Sequence, residues 1–354
     1  MNTSDILSLR LYNQQLITNN RFKEPAEIVA WMGAMQSQTL EMAKWAIGVR
    51  LPGTTVNDIE DSLNNGRIIR THILRPTWHF VSAKDIHWMF DLSNPRIKPI
   101  YISYCKLIEA DEQTIISTYP IIEKTFAGGN HFTKPEIQEI LQQHGIKTDD
   151  RWLNMIISRA EMEGIICNGK LRGSKQTFTL LHEWVPKKYT LSKEESLERL
   201  ARRFFTSHSP ATVEDFAWWS GLTITECRQA LQLIKDDFIS EDINGRTFWL
   251  KNDFKIPEIK KPSVLLLPPF DEYVVSYKNR SEIVEDVHYN KVMTKNGLFD
   301  PTMMLNGEII GKWKKKTVKK GAQVDLTYFV DTTKKVQALF DKEAKRVEAF
   351  YKKE

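Results

Sequence analysis

Apolar positions along the chain repeat a helix-then-paired-strand order three times. In the first pass, Ile6, Leu7, Leu9, Leu11, Leu16 and Ile17 fall at helical spacing over 5–18. Helices follow from Pro25 to about Met35 and over 40–49. After the Pro52-Gly53 turn, Val56, Ile59 and Leu63 mark another helix that ends at Gly66. From Arg67 to Val81 the period switches to two, placing Ile69, Thr71, Ile73, Arg75, Thr77, His79 and Val81 on one strand face, with Pro76 implying an edge strand or bulge. The second pass has a capped helix over 131–141 stopped by Gly145, a helix over 150–163 closed by Gly164, and a hairpin over 165–181. The third has helices over 194–206, 209–221 and 223–234, then a hairpin over 238–250 turning at Asn244-Gly245. From Lys255 the pattern changes. Pro257, Lys260-Lys261-Pro262 and Pro268-Pro269 flank an apolar strand at Val264–Leu267, segments 307–321 and 323–330 read as antiparallel strands, and a helix over 334–352 closes the chain.

The expected architecture is α+β. It comprises three tandem winged helix-turn-helix units, at 1–103, 104–190 and 191–254, and a C-terminal β-rich, barrel-like domain at 255–354. Each unit alone is small, so stacking is the economical way to complete a core.

One break in the first unit stands out. Gln36 and Gln38 lie one residue apart, where an α-helix would point them about 200° from each other. Ser37 and Thr39 are good N-caps, and Glu41 then falls in the first turn of a new helix. The spacing predicts an interruption at 36–39 that lets both amides face one cavity.

Composition bounds the possibilities. A chain of 354 residues, 41% apolar and 27% charged, suits a multi-domain globular protein, and no apolar run approaches a membrane span. The N-terminus carries no secretory signal, and Cys105, Cys167 and Cys227 are too scattered for a disulfide framework or zinc site, which fits inert buried thiols in a reducing cytoplasm. The net charge of +5 is uneven: residues 251–354 hold 21 Lys and Arg against 15 Asp and Glu, and residues 1–250 hold 29 against 30. A polyanionic partner is consistent with that tail.

The helices that would enter a major groove are poor readers of DNA. Asp58, Glu60 and Asp61 make the first acidic, Arg151 and Arg159 of the second face Asp149, Asp150, Glu161 and Glu163, and Arg228 of the third precedes Lys235-Asp236-Asp237. Such faces repel phosphate and suit a packing scaffold. Basic groups gather elsewhere. The first wing carries Arg75, Thr77 and His79, with Arg67 and Arg70 where it begins. The second hairpin carries Lys170, Arg172 and Lys175, and Lys312, Lys314, Lys315, Lys316, Lys319 and Lys320 interleave with Trp313 in the last domain. A charge run alone is also how an edge strand resists aggregation. Together with the basic wings, it favours a groove that tracks the phosphates of double-stranded DNA.

Enzyme templates are sparse. There is no Gly-rich phosphate loop, no paired Cys ligands and no His-Glu-x-x-His, Ser174 lacks a strand-elbow-helix setting, and His72, His79 and His131 are scattered. Two glutamines at a helix break ordinarily satisfy exposed backbone groups. A neutral amide cannot remove a proton as a carboxylate does. It can accept a hydrogen bond from water, and its carbonyl dipole can stabilise a cation. Hydrolysis of an N-glycosidic bond through an oxocarbenium-like transition state asks no more, provided the leaving base is already cationic.

These segments resemble the winged-helix DNA glycosylases of the AlkZ/YcaQ type over nearly the whole chain. The resemblance rests on Met35-Gln-Ser-Gln38, Arg75-Pro-Thr-Trp-His-Phe-Val81, Ser209-Pro-Ala-Thr-Val-Glu-Asp-Phe-Ala-Trp-Trp-Ser-Gly-Leu222, Leu266-Leu-Pro-Pro-Phe-Asp-Glu-Tyr273, Asn296-Gly-Leu-Phe-Asp-Pro-Thr302 and Gly307-Glu-Ile-Ile-Gly-Lys-Trp313. It implies a C-shaped body with a DNA-binding channel. It also implies monofunctional excision of N7-alkylated purines without metal or cofactor, in some members with unhooking of interstrand crosslinks. Gln36 and Gln38 would be catalytic, and the basic wings and lysines would hold duplex DNA against a monomer. Ser37 departs from the aliphatic residue usual between the two glutamines. The competing readings are a non-enzymatic winged-helix DNA-binding protein and a protein–protein scaffold.

Overall fold

Trp313 shows how the sequence builds the sheet of the C-terminal segment. In this computed structural model, which describes residues 1–17, 21–107, 111–146, 148–259, 262–294, 296–318 and 321–352, the Trp313 indole is fully buried and its Nε1–H donates to the Leu267 carbonyl at 2.8 Å. Lys319, Lys320, Lys260, Lys261 and the end of the first expected helix at residue 18 lie outside the described residues. The chain forms two compact units, one from Met1–Ile59 with Leu197–Glu354 and one from Glu60–Ser196. No helix among the described residues is long and apolar enough to cross a membrane. Cys105, Cys167 and Cys227 are buried thiols.

In the first unit, strands Val264–Leu267, Thr302–Leu305, Glu308–Val318 and Gly321–Tyr328 form one antiparallel sheet in that spatial order. The expected closed barrel is not present among the described residues: the sheet is open, with Val264–Leu267 and Gly321–Tyr328 at its edges. The reason lies in strand length. Thr302–Leu305 pairs only as far as Lys312, so the outer part of the long hairpin, Trp313–Val318 against Gly321–Leu326, extends as a two-stranded ribbon. Its Lys-rich sequence offers no continuous apolar face for a closing strand.

The C-terminal helix Lys334–Phe350 packs through Phe340, Ala344, Val347 and Phe350, a helical stripe. Phe350 meets Trp45 edge-on at 5.1 Å, and Trp45 donates from Nε1 to the Leu266 carbonyl at 2.7 Å. Gly48 is required at this crossing, because a Cβ there would lie 2.5 Å from the Phe350 ring. Arg346 then caps the helix Leu40–Gly48 by donating from Nη2 to the Gly48 and Val49 carbonyls at 3.1 and 2.9 Å.

A second anchor is wholly polar. Arg50 grips Asp271 with two parallel bonds of 2.7 and 2.8 Å and also donates to Gln14 Oε1 at 3.0 Å and the Ala46 carbonyl at 2.8 Å. Both charges are buried, so each satisfies the other's desolvation. Further along, helices Val213–Ser220 and Ile224–Ile234 start at capping boxes built on Thr212 and Thr223, the first of them four residues after the expected start at 209, and the hairpin Phe238–Ile243/Arg246–Lys251 turns at the expected Asn244-Gly245, both with positive φ.

In the second unit, Ile68–His72 pairs with Trp78–Ser82, in register Thr71 with His79. The expected strand face does not continue through Arg75 and Thr77: residues 73–77 form a loop in which Leu74 has φ +62° and Pro76 is exposed at the turn. Pro76 supplies no N–H to a ladder, so pairing stops short of it on both sides. Between Val81 and His131, where periodicity predicted nothing, the chain folds as helices Ile86–Leu107, Glu112–Ser117 and Tyr119–Phe126. Phe132–Thr133, Thr177–Leu180 and Ile166–Asn168 form a small sheet over a core that includes Phe126, Leu141, Ile156 and Phe178.

Because Asp271 is the carboxylate that compensates buried Arg50, Asp271→Ala is expected to cost about 3–5 kcal/mol. Urea unfolding at neutral pH reads this, and a loss below about 1 kcal/mol would show that the pair is not an anchor.

Candidate functional site

The Gln-x-Gln segment is built by an early helix stop. Helix Pro25–Met32 ends at Gly33, whose φ of +82° no side chain adopts easily and where a Cβ would meet Trp219 Cη2 at 3.3 Å. The interruption therefore starts three residues before the expected position. Ala34–Gln36 is a short strand, residues 37–39 turn, and helix Leu40–Gly48 begins after Thr39 as its N-cap. The two amides sit in different surroundings, with Gln36 only 8% exposed, Ser37 fully buried and Gln38 exposed.

Behind this strand lies a buried carboxylate that the sequence did not reveal as functional. Glu272 Oε1 accepts the backbone N–H of Gln36 at 2.5 Å. Its other oxygen, Oε2, accepts the Trp219 indole N–H at 3.0 Å and the Ser276 hydroxyl at 2.5 Å, with His208 Nε2 at 3.7 Å. Burial alone would raise the Glu272 pKa, but His208, Ser276 and the Gln36 N–H outweigh it and hold the carboxyl at about 2. His208 is itself buried, stacked on Phe204 at 4.8 Å and bonded through Nδ1 to Ser207 Oγ at 2.7 Å, and burial lowers its pKa. Trp219 and Glu272 both belong to segments that carried the family resemblance. Their meeting point could not be read from them, because 52 residues separate the two in sequence.

The hairpin lysines are largely charge-compensated. Lys312 pairs with Asp300 at 3.1 Å and Lys316 with Asp325 at 2.5 Å, whereas Lys314 is exposed with no ion pair among the described residues. Lys315 bonds Glu41 at 3.1 Å and lies 3.8 Å from the Tyr351 ring centroid. Glu41 also binds Lys44 at 3.0 Å, and the two lysines overcome burial to lower its pKa. The ribbon is thus tied to the first turn of the helix that follows Gln38.

In the second unit the wing residues come together. His79 is buried on its strand, its Nδ1 bonds the Thr77 carbonyl at 2.9 Å, and Arg75 Nη2 approaches His79 Nε2 at 3.5 Å. Lys170, Arg172 and Lys175 are exposed around the 169–176 turn, although Arg172 is engaged by Glu136 at 2.5 Å and the His131 carbonyl at 2.8 Å. Lys175 lines a cavity of about 370 Å³ with Trp78, Lys134 and Gln176. Arg70, by contrast, is not a surface cation. It is buried over the Trp78 ring and donates to Asn168 and Gln176, and burial lowers its pKa to about 10. Glu161 is likewise internal, accepting from Asn168 at 2.9 Å and Trp78 at 3.1 Å and facing His72 Nδ1 at 2.6 Å. Among the described residues no three His, Cys, Asp or Glu side chains gather as a metal site.

The family profile described as DNA glycosylase AlkZ-like matches residues 29–350. The chain belongs to the AlkZ-like DNA glycosylase family. A curated relative, the interstrand DNA cross-link repair glycosylase of Streptomyces sahachiroi, is 26% identical over 193 residues, covering 52% of this chain and 51% of the relative. The match therefore spans about half the length of that relative. The solved structure of Streptomyces sahachiroi DNA glycosylase AlkZ superposes with a TM-score of 0.79 at 17% identity, covering 99% of this chain and 97% of that one, so the two share the family's mixed α+β fold.

The acid titration of Glu272 gives a direct check. Its folded pKa lies below the ordinary 4.5. The stabilisation is therefore complete above pH 4.5 and is lost as pH falls towards about 2. Glu272→Gln should flatten the thermal-stability curve over that window relative to the wild type. Parallel curves would contradict the assigned carboxylate.

Proposed function

We propose that this protein is a monofunctional DNA glycosylase that hydrolyses the N-glycosidic bond of N7-alkylated purines in double-stranded DNA, crosslinked lesions included. The observation that carries the reading is the Gln36–Gln38 segment of a chain in this family, one amide buried and the next exposed at a strand end held from behind by Glu272. A purine alkylated at N7 is already cationic and leaves as a neutral base, so no general acid is required. What remains is to stabilise the sugar cation and deliver water. The carbonyl dipoles of Gln36 and Gln38 suit both tasks, one towards the oxocarbenium carbon and one towards the incoming water. Fixing water and sugar in line supplies part of the barrier reduction entropically.

In this reading Arg75, Thr77 and His79 line the lesion site, and Lys170, Arg172, Lys175, Lys312, Lys314, Lys315 and Lys316 hold the phosphates. The chain acts as a cytoplasmic monomer of three winged-helix units, at 1–103, 104–190 and 191–254, followed by the sheet domain at 255–354. Packing scaffold remains the role of the acidic recognition helices.

Purified protein is expected to release 7-methylguanine or a bulkier N7 adduct from duplex DNA, and Gln38→Ala to abolish release. Inactivity of the wild type across a panel of N7 lesions, crosslinks included, would refute the enzyme. Duplex binding that survives Gln36→Ala and Gln38→Ala would then leave a DNA-binding role.

The phosphate contacts have their own signature. Each contacting lysine removed should lower the slope of log affinity against log salt by about 1, with Lys314→Ala the clearest case. Affinity independent of salt would count against DNA as the partner.

A further inference from the structure

We propose that Glu272 is a positioning residue for the Gln36–Gln38 segment, fixing the Gln36 peptide so that the two amides keep a set direction towards the reacting sugar. This rests on the functional reading given above. The argument is the division of labour between the two carboxylate oxygens. Oε2 is anchored by Trp219 at 3.0 Å and Ser276 at 2.5 Å, with His208 at 3.7 Å, groups from the helix Val213–Ser220, the turn after Glu272–Val275 and the residue following Lys193–Ser207. Oε1 is thereby aimed at the Gln36 N–H, 2.5 Å away.

The same Trp219 ring lies against the Gly33 turn, so the start of the strand and its last residue rest on one rigid surface. The preceding residue, Asp271, is locked by Arg50, which denies the Glu272 backbone freedom to drift. A backbone N–H can be satisfied by a neutral carbonyl at less cost than a buried carboxylate. A charged acceptor held by this many groups instead gives a short, directional bond at the peptide of Gln36, one of the two residues that carry candidate catalytic side chains.

Glu272→Asp keeps the charge but withdraws the acceptor by about 1.5 Å, one bond length. The full-length protein is assayed under single-turnover conditions, with enzyme in excess over DNA bearing 7-methylguanine. The expected result is an excision rate constant lowered at least about tenfold, while the Kd for undamaged duplex stays within roughly twofold. A merely structural role would lower the folded fraction and leave the rate constant of the saturated, folded enzyme unchanged, and that result overturns the proposal.

Hydrogen exchange of the peptide spanning residues 34–38 supplies a readout that needs no activity. Exchange at Gln36 should quicken in Glu272→Asp at temperatures where the rest of the unit stays protected. Unchanged exchange overturns the positioning role. Wild-type protein without excision activity overturns the functional reading instead, and the exchange result then decides the positioning claim alone.

Discussion

Two neighbouring carboxylates, Asp271 and Glu272, are taken out of water together, and the first unit is arranged around satisfying them. Burying an ionised carboxylate costs several kcal/mol unless donors replace its hydration. Asp271 obtains them from Arg50, and Glu272 from Trp219, Ser276 and the Gln36 peptide, with His208 beside it. The donors come from segments up to 236 residues apart in the chain. None of these segments can shift without stranding a buried charge, so the geometry at Gln36 follows from a constraint stated far from it.

The second unit uses the same chemistry. Glu161 is fully buried and receives a Trp78 indole N–H, with His72 against its Oε2, much as Glu272 receives Trp219 with His208 alongside. In each unit a buried carboxylate, an imidazole and an indole form a polar cluster beside the apolar core. Such a cluster tolerates few alternative arrangements, because every partner lost leaves a polar group unsatisfied.

Local structure was legible in the sequence wherever a single residue dictates the backbone. Thr223 starts a helix, Gly221 stops one, and Asn244-Gly245 turns a hairpin. Legibility failed where distant contacts decide. Pro95 and Pro99 sit inside the helix Ile86–Leu107, which conceals its periodicity, and residues 73–77 loop out of an apparently unbroken alternation. The glutamine pair was visible as a break, but not its support, since Glu272 and His208 have no sequence neighbour that marks them. Arg70 reads as an available cation, yet it is buried and engaged within the unit.

The ion pairs along the ribbon change how its lysines act. With Lys312, Lys315 and Lys316 each beside a carboxylate, that row behaves as a set of dipoles rather than as a line of like charge. The potential of a dipole falls off faster with distance than that of a monopole, and salt shortens it further. Those three lysines therefore contribute little to drawing a polyanion in from solution, whereas Lys314 keeps an uncompensated charge among the described residues. If the ribbon holds phosphates as proposed, a phosphate has to displace Glu41 or Asp325 from its lysine, and that exchange would make these contacts sensitive to fit rather than to charge alone.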